Sequence, residues 1–181
     1  RKFQSNNIFF DISKDLEPET LLYYVGVYYY WQCPDKYGDI KQTERFTPNY
    51  DEDSLISFRF NTYSVQSGTP DIRIRIYNDN SGYPGTVLDS IDIPFDNIIW
   101  NDWNEVDLSG MGLVFNSGED FYISVDVVVS SGDTISVLSD DGNSGSGRSY
   151  EWYNGVWGTM LNDWGKDVDF LYEAILVHEY V

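Results

Sequence analysis

Residues 70–90, PDIRIRIYNDNSGYPGTVLDS, constrain the fold more than any other stretch. Ile72, Ile74 and Ile76 alternate with Arg73, Arg75 and Tyr77. A period of two puts the isoleucines on one face of a strand and the polar side chains on the other. Asn78 to Gly85 is a dense run of turn formers, and a second strand restarts at Thr86-Val87-Leu88. The stretch reads as a β-hairpin with a long loop, one face buried and one face wet.

The rest of the chain repeats that pattern. Ile56, Phe58 and Phe60 alternate with Ser57, Arg59 and Asn61, a half-buried strand. Phe121, Ile123, Val125, Val127 and Val129 alternate with Tyr122, Ser124, Asp126 and Val128, the strongest strand in the chain. Thr134 to Leu138 is its short partner. Asn154-Gly155 is a two-residue hairpin signal inside RSYEWYNGVWGTM, and residues 167–181 read as a long final strand. Residues 21–33, LLYYVGVYYYWQC, are nearly all aromatic or aliphatic, and their Tyr, Val and Gly content predicts a strand buried on both faces. Residues 34–54 read as a connection with one edge strand at 39–46, Trp100 and Trp103 fall in a loop at 96–104, and residues 103–110 read as another strand ending at Gly110. Nine to eleven short strands without a convincing helix predict an all-β fold, an antiparallel β-sandwich of jelly-roll or immunoglobulin-like type. With 181 residues, no fixed-period repeat and no long linker, the expectation is one domain over 1–181, with 1–20 as an N-terminal arm.

Composition removes several function classes. The formal net charge is −19, from 30 acids against 11 bases. That repels nucleic acid and anionic membrane, so neither is an expected partner, and it suits an extracellular or high-salt setting. Cys33 stands alone, so no internal disulfide framework exists, and it reads as a small buried hydrophobe. With His178 the single histidine, a zinc site and a Cys/His nucleophile pair are not expected. No stretch approaches 18 apolar residues, so no membrane insertion is expected. The chain begins at Arg1 rather than Met, which suggests that a leader or an upstream part has been removed. No catalytic constellation stands out, and among 30 acids some carboxylate pair always looks plausible; the chain is not expected to be an enzyme.

Short motifs carry a resemblance. Asn78-Asp79, Gly82, Pro84-Gly85 and Leu88 match N-D-x-x-G-x-P-G-x-x-L. Trp103 with Val106-Asp107-Leu108 matches W-x-x-V-D-L, and Gly118 with Phe121-Tyr122-Ile123 matches G-x-x-F-Y-I. Ser146-Gly147-Arg148-Ser149-Tyr150 and Gly155-Val156-Trp157 match S-G-R-S-Y and G-x-W. In this order, over roughly residues 53–177, they resemble β-sandwich modules of large secreted and cell-surface bacterial and archaeal proteins, often appended to peptidases or adhesins. The resemblance implies an extracellular location, a sandwich fold and a non-catalytic role in binding or display. Many such modules place Arg before the Ala of the last strand, whereas here Glu173 precedes Ala174, and the first 50 residues have no counterpart.

Three acidic groups offer the hard oxygen ligands that Ca²⁺ takes. These are Asp140, Asp141 and Asn143; Asp79 and Asn80 with Asp71; and Asp163, Asp167 and Asp169. Loop solvation and Asx-turns are the plain alternative. Tyr150, Trp152, Tyr153 and Trp157 are the candidate platform for stacking sugar rings, against the alternative that they cap the core. The Ile8-Phe9-Phe10 arm and the apolar 21–33 run suggest assembly by strand addition. Two functions follow. One is a structural or adhesive subunit that binds copies of itself or other cell-surface proteins. The other is a carbohydrate-binding module whose partner is polysaccharide.

Overall fold

Ile72, Ile74 and Ile76 are fully buried, as their alternation requires. They lie on β5 (Asp71–Asp79), which pairs with β6 (Pro84–Ile93) in the hairpin. The hairpin is tighter than its run of turn formers suggests. Asn80 and Tyr83 exchange backbone hydrogen bonds, and Ser81 (φ 57°) and Gly82 (φ 86°) form a two-residue turn between them. The side chains of the motif build that turn. Asp79 accepts from Gly82 N at 3.0 Å, and Asn78 Oδ1 accepts from Thr86 N at 2.6 Å. Gly85 leaves room for the Asn78 side chain, whose Oδ1 would lie 2.5 Å from a Cβ there.

The computed structural model describes residues 16–34, 38, 40–128, 132–143 and 145–179, so the Ile8-Phe9-Phe10 arm lies outside the described residues. Among the described residues thirteen strands form two antiparallel sheets, more than the nine to eleven expected. One sheet runs β12 (Val156–Thr159), β11 (Ser149–Tyr153), β3 (Lys41–Phe46), β9 (Phe121–Val128), β5, β6. The other runs β1 (Leu16–Leu21), β13 (Tyr172–Glu179), β4 (Asp53–Ser67), β10 (Thr134–Ser139), β2 (Tyr29–Cys33). There β7 (Trp103–Asp107) and β8 (Val114–Phe115) also pair with β4. One short helix, α1 (Met160–Trp164), follows β12. The architecture is an antiparallel β-sandwich.

The inner faces of both sheets share one hydrophobic cluster. Its aromatic centre joins them: Phe46 and Phe121 stack at 5.6 Å, and Phe46 meets Phe58 edge-on at 6.4 Å.

Four sequence readings need correction. Thr134 to Leu138 is not the partner of the Phe121 strand: β10 pairs with β4 and β2 in the opposite sheet, while β9 lies between β3 and β5. Residues 21–33 are not one doubly buried strand. Leu21 ends β1, residues 22–28 are irregular with Val25, Val27 and Tyr28 more than half exposed, and β2 starts at Tyr29. β3 is not an edge strand, because it lies between β11 and β9. In β4 the isoleucine phase fails. The β4–β13 register shifts between Ile175 and Leu176, so Leu55 (1% exposed) enters the core with Phe58 and Phe60, while Ile56 is half-buried. This shift has a measurable consequence. Leu55→Ala should cost about 2–5 kcal/mol in urea unfolding, and Ile56→Ala about 1 kcal/mol. Equal losses would contradict the register.

Candidate functional site: the outer face of the six-stranded sheet

β9 is buried on both faces. Its core face carries Phe121, Ile123 and Val125; its outer face carries Tyr122, Ser124 and Asp126, which are buried as well. Strand register explains the cover. Tyr122 pairs with Tyr77 on β5 and Arg45 on β3, and Asp126 with Arg73 and Lys41. Tyr77, Tyr122 and Tyr150 form a second buried cluster, with Trp157 packed on it. Tyr122 meets Tyr150 edge-on at 5.4 Å, and Tyr83 meets Tyr150 at 5.8 Å. Burial, reinforced for Tyr122 by the bond from its hydroxyl to Asp79 at 2.7 Å, pushes the Tyr122 and Tyr150 hydroxyls up.

On this bed sit the accessible groups. Trp152 and Trp157 are cross-strand neighbours of the β11–β12 hairpin, half-buried, with centroids 5.0 Å apart and planes at 66°. Tyr77 meets Trp157 edge-on at 5.5 Å. Lys41 Nζ lies 5.2 Å from the Trp152 ring, 5.5 Å from Trp157 and 5.5 Å from Tyr77, and donates to the Tyr77 hydroxyl at 3.2 Å. Arg75 pairs with the buried Asp126 beside them. The Trp152–Trp157 wall is therefore a wedge closed by a cation.

Of the four platform residues expected from sequence, Tyr150, Trp152 and Trp157 share this face. Tyr153 pairs with Val156 across the Asn154-Gly155 turn and takes the opposite phase of β11, with its ring against Gly38. Sequence reasoning missed Lys41, Arg75, Tyr77, Tyr83 and Tyr122. Aromatics at the outward phase of two strong strands were the readable signal for Tyr77 and Tyr122.

The metal candidates divide between two loops and engage the backbone. Asp79 is used by the β5–β6 turn and by Tyr122, and Asn80 closes the same turn. Asp140 accepts from Gly142 N and Asp169 N at 3.0 Å each, and from Val25 N at 3.2 Å. Asp141 binds Asn143 N at 3.0 Å in an Asx-turn. Asp167 accepts from Gly147 N at 2.9 Å, and Asp71 from Phe95 N at 2.8 Å. Asp163 lies on α1, apart from them. Among the described residues no group of three acids, His or Cys is placed to hold a metal ion.

A second polar feature lies inside the sandwich. Glu44 (1% exposed) is on the core face of β3, and Asp169 (0%) sits just before β13. Glu44 Oε2 accepts from Ser149 Oγ at 2.6 Å and Phe170 N at 3.2 Å, and Asp169 is bonded by Ser146. Burial, then the Asp169 charge, pushes the Glu44 carboxyl well up. Burial lifts Asp169 from 3.8 to about 6, with Asp140 and Asp167 adding to it. At one end of the sandwich, a cavity of about 410 Å³ is lined by Glu17, Pro18, Glu19, Tyr50 and His178. Tyr50 stacks on His178 at 4.0 Å, and His178 Nδ1 lies 3.3 Å from Asp53 Oδ1. Burial and then Glu19 raise the Asp53 carboxyl too.

These acids set a pH dependence. A carboxyl raised in the fold favours the protonated native state. Its contribution is complete below the unfolded value of about 4 and is lost as pH rises through the folded value. The Asp169 shift corresponds to about 3 kcal/mol. The melting temperature should therefore fall between about pH 4 and pH 6.5, and Glu44→Gln should flatten that slope. A profile that rises over this window in calorimetry would refute the assignment.

No protein-family model matches the chain, and no curated protein matches it significantly. A solved structure shares its fold. It contains the cysteine protease and lectin-like domains of Cwp84, a surface layer associated protein of Clostridium difficile. It aligns with a TM-score of 0.58 at 16% identity, over 76% of this chain and 32% of that one. The chain thus spans about a third of that protein's length. A CBM4 structure aligns with a TM-score of 0.32 at 15% identity, over 60% of this chain and 66% of that one. The VP2 subviral particle of infectious bursal disease virus aligns with a TM-score of 0.38 at 10% identity, over 93% of this chain and 42% of that one.

Proposed function

We propose that this chain is a non-catalytic extracellular binding module that takes carbohydrate on the outer face of its six-stranded sheet. One observation carries the reading. The half-buried Trp152 and Trp157 and the exposed Tyr83 lie over a bed of buried tyrosines, with Lys41 at the two indoles. Sites for small polar ligands combine apolar ring faces with a few fixed polar groups, and this face has both. The Cwp84 structure, with part of which the chain shares its fold, includes a lectin-like domain, and that protein's association with a surface layer also supports a sugar-binding role at a cell exterior. Fold likeness alone does not make a site, so the argument rests on the rings.

The test is retention on insoluble polysaccharides, with tryptophan fluorescence as a second readout. Wild type should bind at least one polymer. Trp152→Ala or Trp157→Ala should weaken binding about tenfold or more, the loss expected for an anchoring aromatic. Tyr153→Ala, on the opposite phase, should bind normally. No retention and no fluorescence change would overturn the reading, as would a loss confined to Tyr153→Ala.

A second reading, self-association as an adhesive or structural subunit, has its own observation. Among the described residues β2 is a sheet edge, and Val25, Val27, Tyr28 and Tyr30 beside or on it are 56–68% exposed. Such an edge invites strand addition by a second copy. Light scattering should then show mass rising with concentration, and Tyr28→Lys should reverse it. A monomer throughout would remove this reading.

A further inference from the structure

We infer, resting on the carbohydrate reading above, that the sugar this face takes is acidic: a hexuronic acid residue of an acidic polysaccharide, its carboxylate on Lys41 and its ring against the Trp152–Trp157 wedge.

The cations near this face differ in what they already hold. Arg73 is paired with Asp92, Arg75 with Asp126, and Arg45 with Asp120 at 3.6 Å. Each of those guanidiniums is neutralised by the protein itself. Lys41 makes no ion pair among the described residues: its cross-strand neighbour Asp126 is taken by Arg75, and its own contacts are the Tyr77 hydroxyl and three ring faces. An ammonium has three donors, and the Tyr77 bond uses one. Ring faces attract the cation but accept no strong hydrogen bond, so its remaining donors are suited to a carboxylate. The flanking rings also displace water around the ammonium, which strengthens a charge pair made there relative to one in open solvent.

The wedge sets the ligand's size. Two indoles at 66° cannot lie flat under an extended polymer sheet. They offer one ring face each, which suits a single pyranose of a chain. The net charge of −19 repels an acidic polymer only at long range. At physiological ionic strength the screening length is about 8 Å, so the groups at the face decide the contact.

The experiment pairs each acid with a neutral twin of the same shape. Oligogalacturonate, oligoglucuronate and oligomannuronate are each titrated calorimetrically into the full chain beside their methyl esters. The proposal expects at least one free acid to bind about tenfold or more above its ester. Lys41→Met should erase that difference, and Lys41→Arg should keep it. Unchanged melting of both variants establishes that neither result comes from misfolding. If acid and ester bind equally, or if Lys41→Met keeps the preference, the acidic-sugar proposal is overturned while the carbohydrate reading stands. If no acid, ester or neutral polysaccharide binds, both fall together.

Discussion

The structure depends on burying one strand from two sides. β9 lies in the middle of its sheet, and from Phe121 to Val127 every residue on either face is shielded from water. Its core face is covered by the opposing sheet, as in any sandwich. Its outer face has no sheet to cover it. The cover comes from long side chains of neighbouring strands: Tyr77 from β5, Tyr150 from β11, and Trp157 from β12 leaning in over them. Asp126 tolerates burial because Arg75 meets it. The aromatic face is thus first a structural answer to β9, and its outermost layer, Trp152, Trp157 and Tyr83, is what remains accessible for binding. That stacking order explains why the rings meet edge-on: they pack as core residues do.

Acidity has a local use that a net charge conceals. Asp79, Asp107, Asp140, Asp141 and Asp167 all accept backbone N–H groups in turns or loops. An aspartate in such a turn satisfies donors that would otherwise need water. A glycine- and serine-rich loop such as 139–149 needs several of them to hold one shape. Gly145 sits so close to Asp167 that a Cβ would lie 2.4 Å from its Oδ2, so carboxylate and glycine fit each other. Composition read without geometry turns the same residues into a cation site. Glu44 and Asp169 are the opposite case, carboxyls whose burial favours the proton and raises the pH at which they ionise.

What the sequence made legible follows the range of the interactions. The Ile72–Ile76 alternation and the Asn154-Gly155 turn are local, and both are present as read. The split between Trp152 and Tyr153 was also local: a period of two and a two-residue turn put neighbours on opposite faces. Grouping them by proximity in the chain ignored that rule. The β4 bulge was not legible, because a register shift is set by the partner strand β13 across more than a hundred residues. Residues 21–33 were misread for a related reason. An apolar run says that cover would be favourable, not that a strand exists to provide it, and among the described residues β2 turns out to be an edge. Lys41 had no signal at all. Its meaning arises only when β3, β5, β11 and β12 bring Tyr77, Trp152 and Trp157 around it.

Lys41 also bears on how such a face stays ready. Two half-buried indoles with ring area left open to water would tend to close on each other or on a neighbouring molecule. A cation held at 5.2–5.5 Å from three ring faces occupies the wedge and fixes the rings around it. Its Tyr77 bond ties it to a hydroxyl that itself lies 3.4 Å from Ser124 Oγ on β9. The accessible layer is therefore anchored, through one lysine, to the strand buried from both sides. An acidic ligand arriving there meets an ammonium already stripped of part of its water and already oriented. The ordering cost that weakens most surface lysine contacts has been met in the folding of the sheet.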